Sequence, residues 1–195
     1  MKLIGFYDYT VILTYISIVS ALIGMILASQ GSFTAAVVCL VISGICDAFD
    51  GTVARSKKNR TDDEKAFGIQ LDSLCDVVSF GVFPAFLCWC MGVKGLVGLF
   101  CVCLFSLCAV IRLAFFNVLE MKRQQVEAGA NKYYRGLPVT SISMIFPMVY
   151  LLRIFLSEAA FVWVLHGMLL VVAFLFVLDI RVKKLDIQKL IRKQK

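Results

Sequence analysis

The chain has 195 residues, 61% of them hydrophobic and 17% charged, with a mean hydropathy of +0.88 and a formal net charge of +7. Soluble domains run at about half apolar and about a quarter charged, so this composition excludes an ordinary water-soluble fold. With the apolar excess gathered in long runs, it indicates an integral membrane protein, whose positive charge suits anionic lipid rather than nucleic acid.

Six apolar stretches, 9–28, 33–54, 68–91, 95–119, 137–156 and 159–180, predict six transmembrane helices in a single domain covering 1–195. Several reach the roughly 20 residues that a helix needs to cross the hydrocarbon core. No stretch alternates apolar and polar residues as a barrel strand would, so helices must satisfy the backbone in lipid and the fold class is all-α. The first stretch follows Lys2 but is long for the core of a secretory leader. It also carries Thr10, Thr14 and Ser17 and has no small-x-small cleavage site after Ala28, so it is read as a retained span.

Topology follows from the basic residues. With the N-terminus in the cytoplasm, Lys2, the Arg55–Lys65 loop, the Lys122–Arg135 loop and the tail all lie inside, which is 17 of the 20 Lys and Arg. Lys94 and Arg153 fall in outer loops and Arg112 inside a span. The expected arrangement is N-in and C-in, multi-pass in the cytoplasmic membrane. The basic tail, 181–195, spaces Leu185, Leu190 and Ile191 among lysines; it reads either as an amphipathic helix on the membrane or as a solvated segment.

The eight cysteines sit largely within apolar helices, where a thiol behaves as a small hydrophobe. Neither Cys88-Trp89-Cys90 nor Cys101-Val102-Cys103 has zinc-knuckle spacing. His166 is expected to be an interfacial side chain.

The chemistry concentrates between Asp47 and Gly81. Asp47 and Asp50 are three residues apart near the inner end of the second span, and Asp72 and Asp76 four apart at the start of the third. Each pair therefore shares a helix face. A short loop, Arg55 to Phe67, brings the two helices side by side and gathers four carboxylates just below the inner surface. A single acid at mid-helix costs about 2.5–3.5 kcal/mol on insertion scales, and four together add mutual repulsion. Hard oxygen ligands of this kind suit Mg²⁺, Mn²⁺ or Ca²⁺, and two such ions could share the four acids.

Gly51 and Ala54 extend the Asp47 face, and Gly68 lies four residues before Asp72, leaving a strip without side-chain bulk where a large polar ligand can approach. Arg55, at the helix end, is placed to hold a phosphate beside a metal. Small residues also serve close packing of membrane helices, but packing alone gives no reason for four acids without matching lysines. Asp62, Asp63 and Glu64 are expected to be solvated loop charges.

These residues carry a resemblance. Asp47, Asp50, Gly51, Ala54, Arg55, Gly68, Asp72 and Asp76 fill the D-x2-D-G-x2-A-R…G-x3-D-x3-D signature, so the chain resembles the CDP-alcohol phosphatidyltransferases over essentially its whole length. Twelve residues separate Arg55 from Gly68, a longer loop than many members have. The resemblance implies transfer of a phosphatidyl group from CDP-diacylglycerol to an alcohol with release of CMP. It implies Asp47, Asp50 and Asp72 as metal ligands, Asp76 as ligand or general base, and a homodimer. An alcohol hydroxyl is a poor nucleophile at neutral pH and needs such a base.

The acceptor is suggested by three further stretches. "LDSLCDVVSFGVFPA", Leu71 to Ala85, "IRLAFFN", Ile111 to Asn117, and "YYRGLPVT", Tyr133 to Thr140, look like the phosphatidylserine synthase branch. Two positions depart from it: Phe115 stands where the branch has Arg, and Val11 where it has Asn. L-Serine's carboxylate needs a cation, and Arg112, within a span, is the candidate; the alternative is a side chain snorkelling to the interface. Arg135 is a second candidate. Glycerol 3-phosphate or inositol phosphate as acceptor would call for more cations, and a cation transporter would place its charges near the midplane in repeated halves.

Overall fold

The computed structural model describes residues 5–6, 9–57, 61–125, 133–179 and 181–183. Lys2, the loop 126–132 and the tail positions Leu185, Leu190 and Ile191 lie outside the described residues.

Among the described residues, five helices are long and apolar enough to cross a membrane. They are α1 (Ile12–Ser29), α2 (Phe33–Ser56), a composite third span from Asp62 to Cys90, α5 (Gly95–Gln125) and α7 (Glu158–Val177). The composite span joins α3 (Asp62–Asp76), a π-helical segment (Val77–Val82) and α4 (Phe83–Cys90). The remaining apolar stretch, Val139–Ile154, is shorter. It consists of a 3₁₀ turn (Val139–Ser141), α6 (Ile142–Leu151) with Pro147 inside it, and a second 3₁₀ turn (Leu152–Ile154). At ~1.5 Å per residue it spans about 24 Å, less than the ~30 Å hydrocarbon core.

The α1/α2 contact explains the polar residues of the first span. Ser17 and Ser43 exchange hydrogen bonds with each other's backbone carbonyls at 3.3 and 2.9 Å, and Ser20 donates to the Cys39 carbonyl at 2.9 Å. Small residues let backbones approach in lipid. A Cβ on Gly24 would meet the Phe83 ring, and one on Gly44 would meet the Ser143 side chain. The aromatic core of Phe80, Phe83, Phe105, Phe146 and Phe176 fills the space between these elements.

The third span begins earlier than its hydropathy indicates. Thr61 caps α3, accepting from the Glu64 amide at 3.2 Å while the Glu64 carboxylate accepts from the Thr61 amide at 2.8 Å. Asp62, Asp63 and Glu64 are thus the first turn of a helix rather than loop charges, placed where acids complement the helix dipole. Glu64 also pairs with Lys57 at 3.0 Å, and Asp62 with Lys65 at 2.9 Å.

The π segment has a cause in the sequence. Pro84 has no N–H for the Phe80 carbonyl four residues back, and its ring crowds that carbonyl, so the turn before it widens. Ser106 of α5 donates to the Gly81 carbonyl within the segment at 3.1 Å. Single π turns in membrane helices recur beside functional sites; this one starts immediately after Asp76.

Two three-residue strands lie outside the apolar spans. β1 (Tyr133–Arg135) pairs antiparallel with β2 (Arg181–Lys183), Arg135 opposite Arg181. The all-helical reading holds within the apolar stretches, and the start of the basic tail is strand rather than helix. All eight cysteines are free thiols. His166 bonds the Val162 carbonyl through Nδ1 at 2.8 Å and lies tilted against Trp163, ring centres 5.4 Å apart, so its polar contact is to its own helix.

Candidate functional site

The two acidic faces meet. Asp47 and Asp50 come from the C-terminal half of α2, Asp72 and Asp76 from the end of α3. Asp47, Asp50 and Asp72 each present a carboxylate oxygen within 4.8 Å of the others. Asp50 hydrogen-bonds Asp72, and Asp47 hydrogen-bonds Asp76. Asp76 is the most enclosed of the four, with 8% of its surface exposed. A contact between two carboxyl groups needs a proton or a cation between them. Three hard oxygen donors at this spacing, with a fourth carboxylate bonded to one of them, fit a divalent cation.

Around the acids, the structure adds residues that charge spacing alone did not identify. Thr140, in the 3₁₀ turn before α6, hydrogen-bonds Asp47. Ser73, adjacent to Asp72, donates to Asn117 Oδ1 of α5 at 2.7 Å. That bond ties the third span to α5 beside the acids. Their signal in the sequence was a hydroxyl or amide interrupting an apolar run. All three stand in the stretches that resemble the serine branch.

Gly51 and Gly68 are half-buried on the same two helices. Ala54 and Arg55 belong to the last turn of α2 by backbone, but their side chains lie outside the described residues. Arg135 is in β1, and its side chain likewise lies outside them.

Arg112 packs against protein on most of its surface. It is buried, 8% exposed, donates from Nε to the Leu137 carbonyl at 3.2 Å, and lies 5.9 Å from the centre of the Phe116 ring. The segment 137–140 therefore touches Arg112 at one end and Asp47 at the other.

Comparison with known proteins finds relatives over most of the chain. The family model for CDP-alcohol phosphatidyltransferases matches residues 9–178. An archaetidylserine synthase of Methanothermobacter thermautotrophicus is 32% identical over 173 residues, covering 87% of this chain and 70% of that protein. A CDP-diacylglycerol–serine O-phosphatidyltransferase of Saccharomyces cerevisiae is 37% identical over 116 residues, covering 58% of this chain and 41% of the yeast protein. One of the same name from Methanocaldococcus jannaschii is 36% identical over 121 residues, covering 62% and 53%. The match thus spans only about half the length of the last two relatives. On the extent of the family match, with the four acids assembled on two adjoining helices, this multi-pass membrane protein belongs to the CDP-alcohol phosphatidyltransferase family.

Proposed function

We propose that the chain transfers the phosphatidyl group of CDP-diacylglycerol to the hydroxyl of L-serine, forming phosphatidylserine and CMP. The observation that carries this reading is the cluster of four aspartates from α2 and α3. The serine named in the relatives' activities and the three branch-like stretches support the acceptor.

In this reading Asp47, Asp50, Asp72 and Asp76 hold divalent cations, Mg²⁺ or Mn²⁺, two per site. When bound, the cations supply charge neutralisation to the pyrophosphate and the departing CMP. Gly51, Ala54 and Gly68 leave room for the nucleotide and its phosphates, and Arg55 holds a phosphate by a charge-assisted hydrogen bond. Asp76 takes the proton from the serine hydroxyl. As it does, the serine oxygen bonds to the phosphorus that carries diacylglycerol, and the bond from that phosphorus to the CMP oxygen breaks. Its enclosure and its hydrogen bond to Asp47 hold its carboxylate in one orientation. Arg112 and Arg135 are the cations for the acceptor's carboxylate.

The same reading places the acids at the cytoplasmic side of an N-in, C-in chain in the cytoplasmic membrane. Val139–Ile154 is counted as the fifth of six spans, all within one domain over 1–195. The chain works as a homodimer embedded in membrane lipid. CMP release by purified protein given CDP-diacylglycerol, Mn²⁺ or Mg²⁺ and a panel of alcohols tests the function. Release is expected to be fastest with L-serine and absent in excess chelator. Turnover with glycerol 3-phosphate but not serine would overturn the acceptor, and turnover undiminished by chelator would overturn the role of the metal.

A further inference from the structure

Arg112 and Asp179 line one cavity of about 270 Å³, and no aspartate of the cluster lines it. Its other walls include the apolar side chains of Phe115, Phe176 and Leu178. The cavity falls below the ~300–1,000 Å³ typical of drug-sized ligands, so it takes a small molecule rather than an acyl chain. Its two charges are of opposite sign, and Asp179 acts electrostatically on Arg112. Arg112 is enclosed by protein, whereas Asp179, just beyond the end of α7, is exposed. A water-soluble ligand therefore has an entrance on the Asp179 side.

Gly136 keeps this space open. Its φ of +73° belongs to the left-handed region that glycine adopts without strain. A Cβ there would lie 3.1 Å from the Leu178 carbonyl oxygen and 3.3 Å from Arg112 Nε. Any other residue would strain the backbone and crowd the guanidinium.

The cavity also lies at the depth of the acids. The third span and α5 are held in antiparallel register by Ser73 with Asn117 and by Gly81 with Ser106. Between those two contacts, Arg112 stands opposite the residues that directly follow Asp76. The segment 137–140, bonded to Arg112 at Leu137 and to Asp47 at Thr140, adjoins both.

We infer that this cavity holds the amino-acid end of the acceptor, its carboxylate on Arg112 and its α-ammonium on Asp179, which makes Asp179 a specificity-determining residue. An α-amino acid zwitterion matches both charges at once. A simple alcohol complements neither charge, an amino alcohol complements only Asp179, and a phosphorylated polyol sets its phosphate against Asp179. The inference rests on the serine reading above.

The experiment uses the purified full chain with CDP-diacylglycerol and Mn²⁺, following CMP release with L-serine and with 3-hydroxypropionate, which is serine without its ammonium. Wild-type protein is expected to prefer serine strongly. Asp179→Asn is expected to raise the KM for serine about ten-fold or more, to leave the KM for CDP-diacylglycerol unchanged, and to shrink the preference over 3-hydroxypropionate by the same factor. An ion pair that only fastens α7 to α5 predicts something else: Asp179→Asn lowers heat resistance and slows both acceptors equally. An unchanged preference ratio would thus overturn the inference while serine turnover by the wild type leaves the acceptor reading standing. Wild-type turnover of other alcohols but not serine overturns both.

Discussion

The Thr140 hydroxyl hydrogen-bonds the Asp47 carboxylate, linking the turn that opens α6 to the acidic face of α2. The Gly44–Ser143 approach occurs about one turn further along the same two helices. The acidic face of α2 is thus buttressed by an element far away in sequence. A carboxylate held by a neighbouring hydroxyl keeps its oxygens aimed in one direction, which is what a metal ligand requires. Thr140→Val is expected to weaken the affinity for Mn²⁺ by about 10- to 100-fold. Turnover should recover largely at saturating metal. The check is CMP release titrated with metal; an unchanged half-saturating concentration would count against this role.

Asp47→Asn and Asp72→Asn each remove a hard anionic ligand from a group whose oxygens lie within 4.8 Å of one another. Both are expected to abolish turnover and metal-dependent CDP-diacylglycerol binding. The measurement is CMP release together with binding of a radiolabelled donor in detergent. Full activity in either variant would show that the shared faces do not act as one site.

Asp76→Asn keeps shape and one oxygen ligand while removing the proton acceptor. The expected result is a fall in kcat of about 10²–10⁴-fold, the range for loss of a general base, with CDP-diacylglycerol still bound when metal is present. Single-turnover kinetics separate the two. Loss of binding with near-normal turnover at saturating metal would make Asp76 a structural ligand only.

Gly44→Val adds bulk where even a Cβ meets the Ser143 side chain. Overpacking of this kind costs about 1–3 kcal/mol, so the midpoint of heat inactivation in detergent is expected to fall. Combining it with Ser143→Gly should recover part of the loss, because neighbouring changes that share a cavity do not add independently. Equal inactivation midpoints for Gly44→Val and wild type would show that the α2/α6 contact relaxes freely.

Sequence alone determined the membrane environment and the helix faces that the acids share. Apolar run lengths report the thickness of a bilayer, so α1, α2, the third span, α5 and α7 were readable one by one. The spacing of Asp47 with Asp50 and of Asp72 with Asp76 reports helix periodicity, so each pair's common face was readable too. The start of α3 was also written locally, in the Thr61–Glu64 capping box, but hydropathy is blind to a polar first turn. Tertiary structure decided the rest, because those features depend on residues distant in the chain. Nothing near Asp47 names Thr140, and nothing near Ser73 names Asn117. The sequence favours Arg112 as a functional cation within a span over a snorkelling side chain, but only tertiary structure shows the Leu137 carbonyl and Gly136 packed against it. Local periodicity fixes which face a residue occupies, whereas only packing fixes what that face meets.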